Sequence, residues 1–169
     1  VVRNNFIVFS KDGKVEATFG HDFPGGHGLT YGCGTGDDFL MVTDYERHMV
    51  FRVDTSGKII RTWTYPAETG KYDSESSFLP TETAVSVDGE FYVADGYGAQ
   101  HIMHYDKDGF LKNIFGGRGD GPQHLDNAHG ICIDYRKSTP TLIITDRNRC
   151  CFKRFTVDGT YLGTIPLPG

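Results

Sequence analysis

The sequence has no apolar run approaching the roughly 20 residues that a membrane-crossing helix needs, which excludes a helical span. Positive charge is also in short supply. Its 17 Lys and Arg stand against 22 Asp and Glu, a net charge of −5, which argues against a nucleic-acid-binding surface. No CxxC pair occurs among the cysteines Cys33, Cys132, Cys150 and Cys151, which argues against a thiolate zinc site. Cys150 and Cys151 are adjacent, and neighbours in a strand face opposite ways, which makes a poor disulfide framework. The redox compartment stays open. The opening Val1-Val2-Arg3-Asn4-Asn5 lacks the apolar core and small-residue cleavage site of a signal peptide. It leads straight into Phe6-Ile7-Val8-Phe9, so the expectation is a chain that begins inside a domain of a longer protein. Helical periodicity is absent throughout, which excludes a helical repeat.

What is present is glycine (22 residues) and aromatics (13%), arranged as short β-branched and aromatic segments between turns. That pattern is all-β. Three segments share one grammar. The first runs from Gly26-His27-Gly28-Leu29-Thr30 through Phe39–Asp44 and Met49–Asp54 to the turn Ser56-Gly57-Lys58 and Ile59–Trp63. The second runs from Pro80–Val85 through Phe91–Asp95 and His101–Asp106 to the turn Asp108-Gly109 and Leu111–Gly116. The third runs from Ala128–Ile133 through Leu142–Asp146 and Cys151–Phe155 to the turn Asp158-Gly159 and Tyr161–Ile165. Asp44, Asp95 and Asp146 close the second strands at a spacing of 51 residues. The turn glycines supply the positive φ of tight hairpins.

Each unit reads as four strands, too thin to bury both faces unless repeated radially. The expected fold is an all-β propeller of four-stranded blades. The chain divides into a half blade (1–20) and blades at 21–66, 78–117 and 124–169, about three and a half blades of a six-bladed ring. Open end faces then imply either a longer natural protein or self-association.

In a propeller the first strand of each blade lines the channel. His27 and His129 begin that strand in the first and third blades, two periods apart, each followed by Gly and an aliphatic residue. Thr81 holds the position between them. On alternate blades of a six-bladed ring, matching histidines converge on the axis as two of a threefold set. Three imidazoles with an open fourth position describe a catalytic zinc site. Channel histidines bonded only to backbone or water remain the competing reading. Tyr97 and Arg147 follow the second-strand aspartates, as Tyr45 does, and their turns lie at one end of the channel. A Tyr and an Arg there can serve as proton acceptor and carboxylate clamp; packing between blades and a surface ion pair are the alternatives. His21, His48, His101, His104 and His124 fall outside the repeat and read as surface or loop residues. The aspartates read as acceptors of turn amides. Gly116–Pro122 is glycine-rich but precedes no helix, so it is an inter-blade linker and its Arg-Gly-Asp is chance.

This grammar resembles NHL repeats over essentially the whole chain. Within them it is most similar to the peptidyl-α-hydroxyglycine α-amidating lyases, six-bladed propellers. The residues carrying the likeness are His27-Gly28-Leu29, Val93-Ala94-Asp95-Gly96-Tyr97, Ala128-His129-Gly130-Ile131 and Thr145-Asp146-Arg147. The resemblance implies His27 and His129 as zinc ligands, Tyr97 as catalytic base, Arg147 near the substrate and the Leu29 carbonyl as a ligand of a structural calcium. It implies cleavage of a peptidyl-α-hydroxyglycine to a peptide amide and glyoxylate, a peptide or small-molecule substrate, and a secreted or periplasmic location. A third histidine and a second arginine of the family have no counterpart here, and Gly98 stands where the family has a cysteine beside the tyrosine. An NHL-type scaffold that binds protein or ligand without catalysis is the alternative. A calcium-dependent lactonase-like hydrolase ranks last, since only Glu82 lies near a first strand.

Overall fold

The computed structural model describes residues 5–33, 36 and 38–167, with backbone alone at Cys33. Val1 to Asn4, the Cys33 side chain and the last two residues of the final blade lie outside the described residues.

Fourteen strands are present among the described residues, and the only helical segments are three 3-10 turns of three residues each. A two-stranded sheet joins β1 (Phe6–Phe9) to β2 (Val15–Phe19). Then come three four-stranded antiparallel meanders. The first is β3 (Gly26–Cys33), β4 (Asp38–Asp44), β5 (Met49–Asp54) and β6 (Ile59–Trp63). The second is β7 (Glu82–Val85), β8 (Phe91–Ala94), β9 (His101–Tyr105) and β10 (Leu111–Gly116). The third is β11 (Ala128–Asp134), β12 (Thr141–Asp146), β13 (Cys151–Thr156) and β14 (Tyr161–Pro166). These are β-propeller blades.

Burial follows from stacking the sheets face to face. β8 is buried along its whole length because both of its faces meet a neighbour. Phe91 and Val93 pack with Phe39, Met41 and Val50 of the preceding blade. Tyr92 and Ala94 point the other way, to Leu142, Ile144 and Phe155 of the following one. This is period-2 alternation with apolar residues on both sides. The outermost strand β6 is exposed over most of its length. Each fully buried Phe, Leu or Ile contributes about 1.5–3 kcal/mol, so the inter-blade layers dominate stability.

A second device recurs between blades. The aromatic residue near the end of each outer strand covers the hairpin glycine of the next blade. A Cβ on Gly57 would meet the Phe19 ring at 2.4 Å, one on Gly109 the Trp63 ring at 2.8 Å, and one on Gly159 the Phe115 ring at 2.4 Å. All three glycines have positive φ, from +79° to +91°. Trp63 also donates its indole N–H to the Gly109 carbonyl at 3.0 Å, and Arg61 bonds the Asp108 carbonyl.

Two expectations need correction. His104 is a core residue, 2% exposed. It stacks on Tyr92 with ring centroids 4.3 Å apart and bonds Glu90 at 2.7 Å. β9 carries it into the layer between blades. Cys150 is a turn residue with φ +49° rather than a strand neighbour of Cys151, which begins β13. Cys132, Cys150 and Cys151 are free thiols.

Candidate functional site

The site starts from two matching irregularities. Opposite the single Thr43 of β4, strand β3 places both His27 and Gly28. Opposite Thr145 of β12, strand β11 places both His129 and Gly130. Each is a β-bulge, an extra residue that re-aims a side chain. The threonine hydroxyl accepts the otherwise unpaired amide: Gly28 N–H to Thr43 at 2.7 Å, and Gly130 N–H to Thr145 at 2.6 Å. Gly28 has no room for a side chain, since a Cβ would lie 2.6 Å from the Thr81 carbonyl oxygen. The middle blade pairs Glu82 with Ala94 and Thr83 with Val93 in unbroken register. Its Ala94, at the threonine position, has no hydroxyl to hold a bulge.

The bulges bring His27 and His129 together with Tyr97, which sits on the β8–β9 turn. The two imidazole centroids are 4.9 Å apart. The Tyr97 hydroxyl lies 3.0 Å from His27 Nε2 and 2.9 Å from His129 Nε2. His27 Nδ1 lies 2.8 Å from the Thr81 carbonyl. A carbonyl only accepts, so Nδ1 of His27 carries the proton and its Nε2 presents a lone pair when the ring is neutral. Tyr97 then donates to His27 Nε2, and His129 Nε2–H donates to the Tyr97 oxygen. Thr81, at the first-strand position of the middle blade, thus fixes the tautomer of its neighbour's histidine. Tyr45 closes the group edge-on, 6.1 Å from the His27 ring and 5.9 Å from the Tyr97 ring. Its equivalence to Tyr97 in the repeat was the only sequence signal for it.

Burial, with His27 and Arg147 adding like charge, holds the His129 imidazole below its ordinary pKa, which favours the neutral form a ligand needs. Arg147 opens a 3-10 turn, donates its amide to Asn127, and shares with His129 the wall of a cavity of about 490 Å³. It makes no ion pair among the described residues. Leu29 stands apart from the cluster, just past the bulge, where with Thr30, Glu82 and Gly130 it lines a channel-wall cavity of about 430 Å³. No group of three or more His, Cys, Asp or Glu side chains placed to hold a metal occurs among the described residues.

The second-strand aspartates organise the turns that carry the site. Asp44 accepts the amides of Gly25, Glu46 and Arg47, all from 3.0 to 3.1 Å. Asp95 accepts those of Leu79 at 2.7 Å and Ala99 at 2.6 Å, and the Tyr72 hydroxyl at 2.9 Å. Asp146 accepts the Asp126 amide at 2.8 Å and pairs with Lys153 at 3.0 Å. Burial pushes the Asp95 carboxyl up to about 6 against these hydrogen bonds, which pull it down.

No protein-family model matches the sequence. The Caenorhabditis elegans protein named probable peptidyl-alpha-hydroxyglycine alpha-amidating lyase pgal-1 is 34% identical over 114 residues, covering 66% of this chain and 31% of that protein. Virginiamycin B lyase from Staphylococcus aureus superposes with a TM-score of 0.67 at 16% identity, over 95% of this chain and 48% of its own. The gluconolactonase XC5397 from Xanthomonas campestris superposes with a TM-score of 0.62 at 20% identity, over 95% of this chain and 55% of its own. The chain therefore spans about a third of the curated relative and about half of these solved structures. No described helix is long and apolar enough to cross a membrane. The architecture is that of the β-propeller, and part of the sequence is similar to an amidating lyase.

Proposed function

We propose that the chain carries part of the active site of a metal-dependent lyase resembling the peptidyl-α-hydroxyglycine α-amidating lyases, with NHL-type blades. One observation carries this reading. Two histidines on alternate blades are held by identical bulges with their Nε2 atoms within 3.0 Å of the same tyrosine oxygen. His27 also has the arrangement a metal ligand uses, with Nδ1–H fixed on a carbonyl and Nε2 facing the site.

His27 and His129 would hold zinc through Nε2 once the His129 proton moves to Nδ1 and Tyr97 gives up its two hydrogen bonds; among the described residues no third His, Cys, Asp or Glu joins them. When bound, zinc supplies Lewis acidity toward the substrate hydroxyl. The chain's own residues do the rest. Arg147, unpaired and beside His129, orients the substrate carboxylate. Tyr97, freed of those hydrogen bonds, would accept the hydroxyl proton as general base. The carbinol oxygen then forms the carbonyl of glyoxylate as the C–N bond breaks, and the departing nitrogen takes that proton back from Tyr97 to become the amide. A calcium ion at the Leu29 carbonyl belongs to the same proposal, as a structural ion.

The test is zinc titration of the chain together with glyoxylate release from α-hydroxyhippuric acid. His27→Ala and His129→Ala are each expected to weaken zinc binding at least about tenfold, and Tyr97→Phe to abolish release while leaving zinc bound. Failure to bind zinc would overturn the reading. The bonds that already satisfy both imidazoles would then favour a propeller face that binds protein or ligand without catalysis.

A further inference from the structure

Tyr97 has a second neighbour besides the histidines. A cleft of about 570 Å³ lies against it, lined also by Lys71, Asp73, Ser77, His101 and Arg118. That volume is within the range of ligand sites. Its walls come from the linker between the first two blades, the β8–β9 turn and the loop after β10. The structure holds them firmly. Tyr72 at the cleft wall is buried and donates its hydroxyl to Asp95 at 2.9 Å. Arg118 donates to the Gly98 carbonyl at 3.0 Å, tying the loop after β10 to the Tyr97 turn. A Cβ on Gly98 would lie 2.2 Å from the Asp95 carboxylate, so the turn packs directly against it.

The charge of this cleft runs against that of the molecule. The whole chain is at −5, yet two cations, Lys71 and Arg118, line the cleft with one acid, Asp73. Burial keeps the His101 imidazole below its ordinary pKa, so it adds an uncharged ring rather than a third cation. Cations retained on an acidic protein, around a preformed cleft, are the means of recognising an anionic group. Leu79, Ala99 and the Tyr97 ring add apolar surface.

We infer that this cleft seats the peptide chain of the substrate, and that Lys71 and Arg118 select an acidic side chain within it. This rests on the lyase reading, because Tyr97 forms the wall between the cleft and the histidines. A substrate whose reacting end meets His27 and His129 would enter this cleft past Tyr97, while the His129–Arg147 cavity takes the other end.

The experiment uses the full chain and fluorescein-labelled tripeptides ending in glycine, with Glu, Ala or Lys as the penultimate residue, followed by fluorescence anisotropy at low ionic strength. The Glu peptide should bind about fivefold more tightly than the Lys peptide. Lys71→Gln and Arg118→Gln should each shrink that preference, and added salt should too. Lys71 is exposed, so its variant keeps the fold, and a thermal melt checks Arg118→Gln. Equal binding of the three peptides, or a preference unmoved by both variants, overturns the inference. Glyoxylate release from α-hydroxyhippuric acid, which has no side chain to enter the cleft, separates the two ideas. Release without charge preference overturns the cleft assignment alone. Charge preference without release overturns the lyase reading and leaves the cleft an acidic-peptide site.

Discussion

A single residue type, aspartate at the end of each second strand, shows how much one position can carry. Asp44, Asp95 and Asp146 are wholly buried, and each accepts backbone amides from the turn that follows or the segment that precedes its blade. Their spacing is plain in the sequence. Their energetic difference is not, because it depends on which partner arrives from elsewhere: Lys153 for Asp146, a neutral Tyr72 for Asp95. Burial, with no ion pair to offset it among the described residues, raises the Asp95 carboxyl to about 6 in the folded protein. The folded state therefore holds that proton more tightly than the unfolded chain does. The resulting stabilisation is present below about pH 4 and is lost as the pH rises through about 6. Urea unfolding of the protein and of Asp95→Asn checks this. Between pH 4 and 7 the stability of the protein should fall relative to the variant by on the order of 2 kcal/mol. Histidines illustrate the same limit. His27 and His129 are marked by their repeat phase, whereas the burial of His104 depends on Tyr92 and Glu90 meeting it across the sheet.

At the scale of the element, the bulge is the unit that makes the site. Strand β3 carries one residue more than β4 can pair, and the surplus turns His27 toward its counterpart on β11. The Thr43 hydroxyl both accepts the Gly28 amide and donates to the Thr81 carbonyl, 3.0 Å away. Thr43→Ala leaves the buried Gly28 amide unpaired. It should cost about 1–3 kcal/mol and weaken zinc binding by releasing His27, whereas Thr30→Ala on the partner strand β3 should not alter zinc binding. Denaturation and zinc titration of both variants read the two effects. The His-Gly pairs and the second-strand threonines are legible in the sequence. That they form a bulge is not, because a bulge is a mismatch between two strands and only pairing reveals it.

At the scale of the whole chain, the inter-blade contact is repeated, and among the described residues its two end faces are uncovered. Phe19, Trp63 and Phe115 cover the turn glycines of the next blades, and Ile165 holds their position on the last blade, where it is 41% exposed. At the other end, a Cβ on Gly13 would meet nothing among the described residues. Ile7, Phe9 and Val15 are exposed there as well. Apolar sheet faces of this kind are association surfaces, so the chain alone should self-associate, and sedimentation should show species above the 18.8 kDa monomer. Ile165→Glu should shift the population toward monomer; a monomer that melts cooperatively without the substitution would refute this.

The sequence by itself determined the blades, their period and the phase of the two histidines. These rest on local rules: alternation sets strands, Gly with positive φ sets hairpins, and repetition sets how units stack. Tertiary structure alone decided that Tyr97 reaches both histidines, that Thr81 fixes the tautomer of His27, and that Lys71 and Arg118 share a cleft. Each of those joins residues from different blades or from different inter-blade linkers. Their distances are set by how sheets pack and how strand registers slip by one residue, and neither is written in any short stretch of chain.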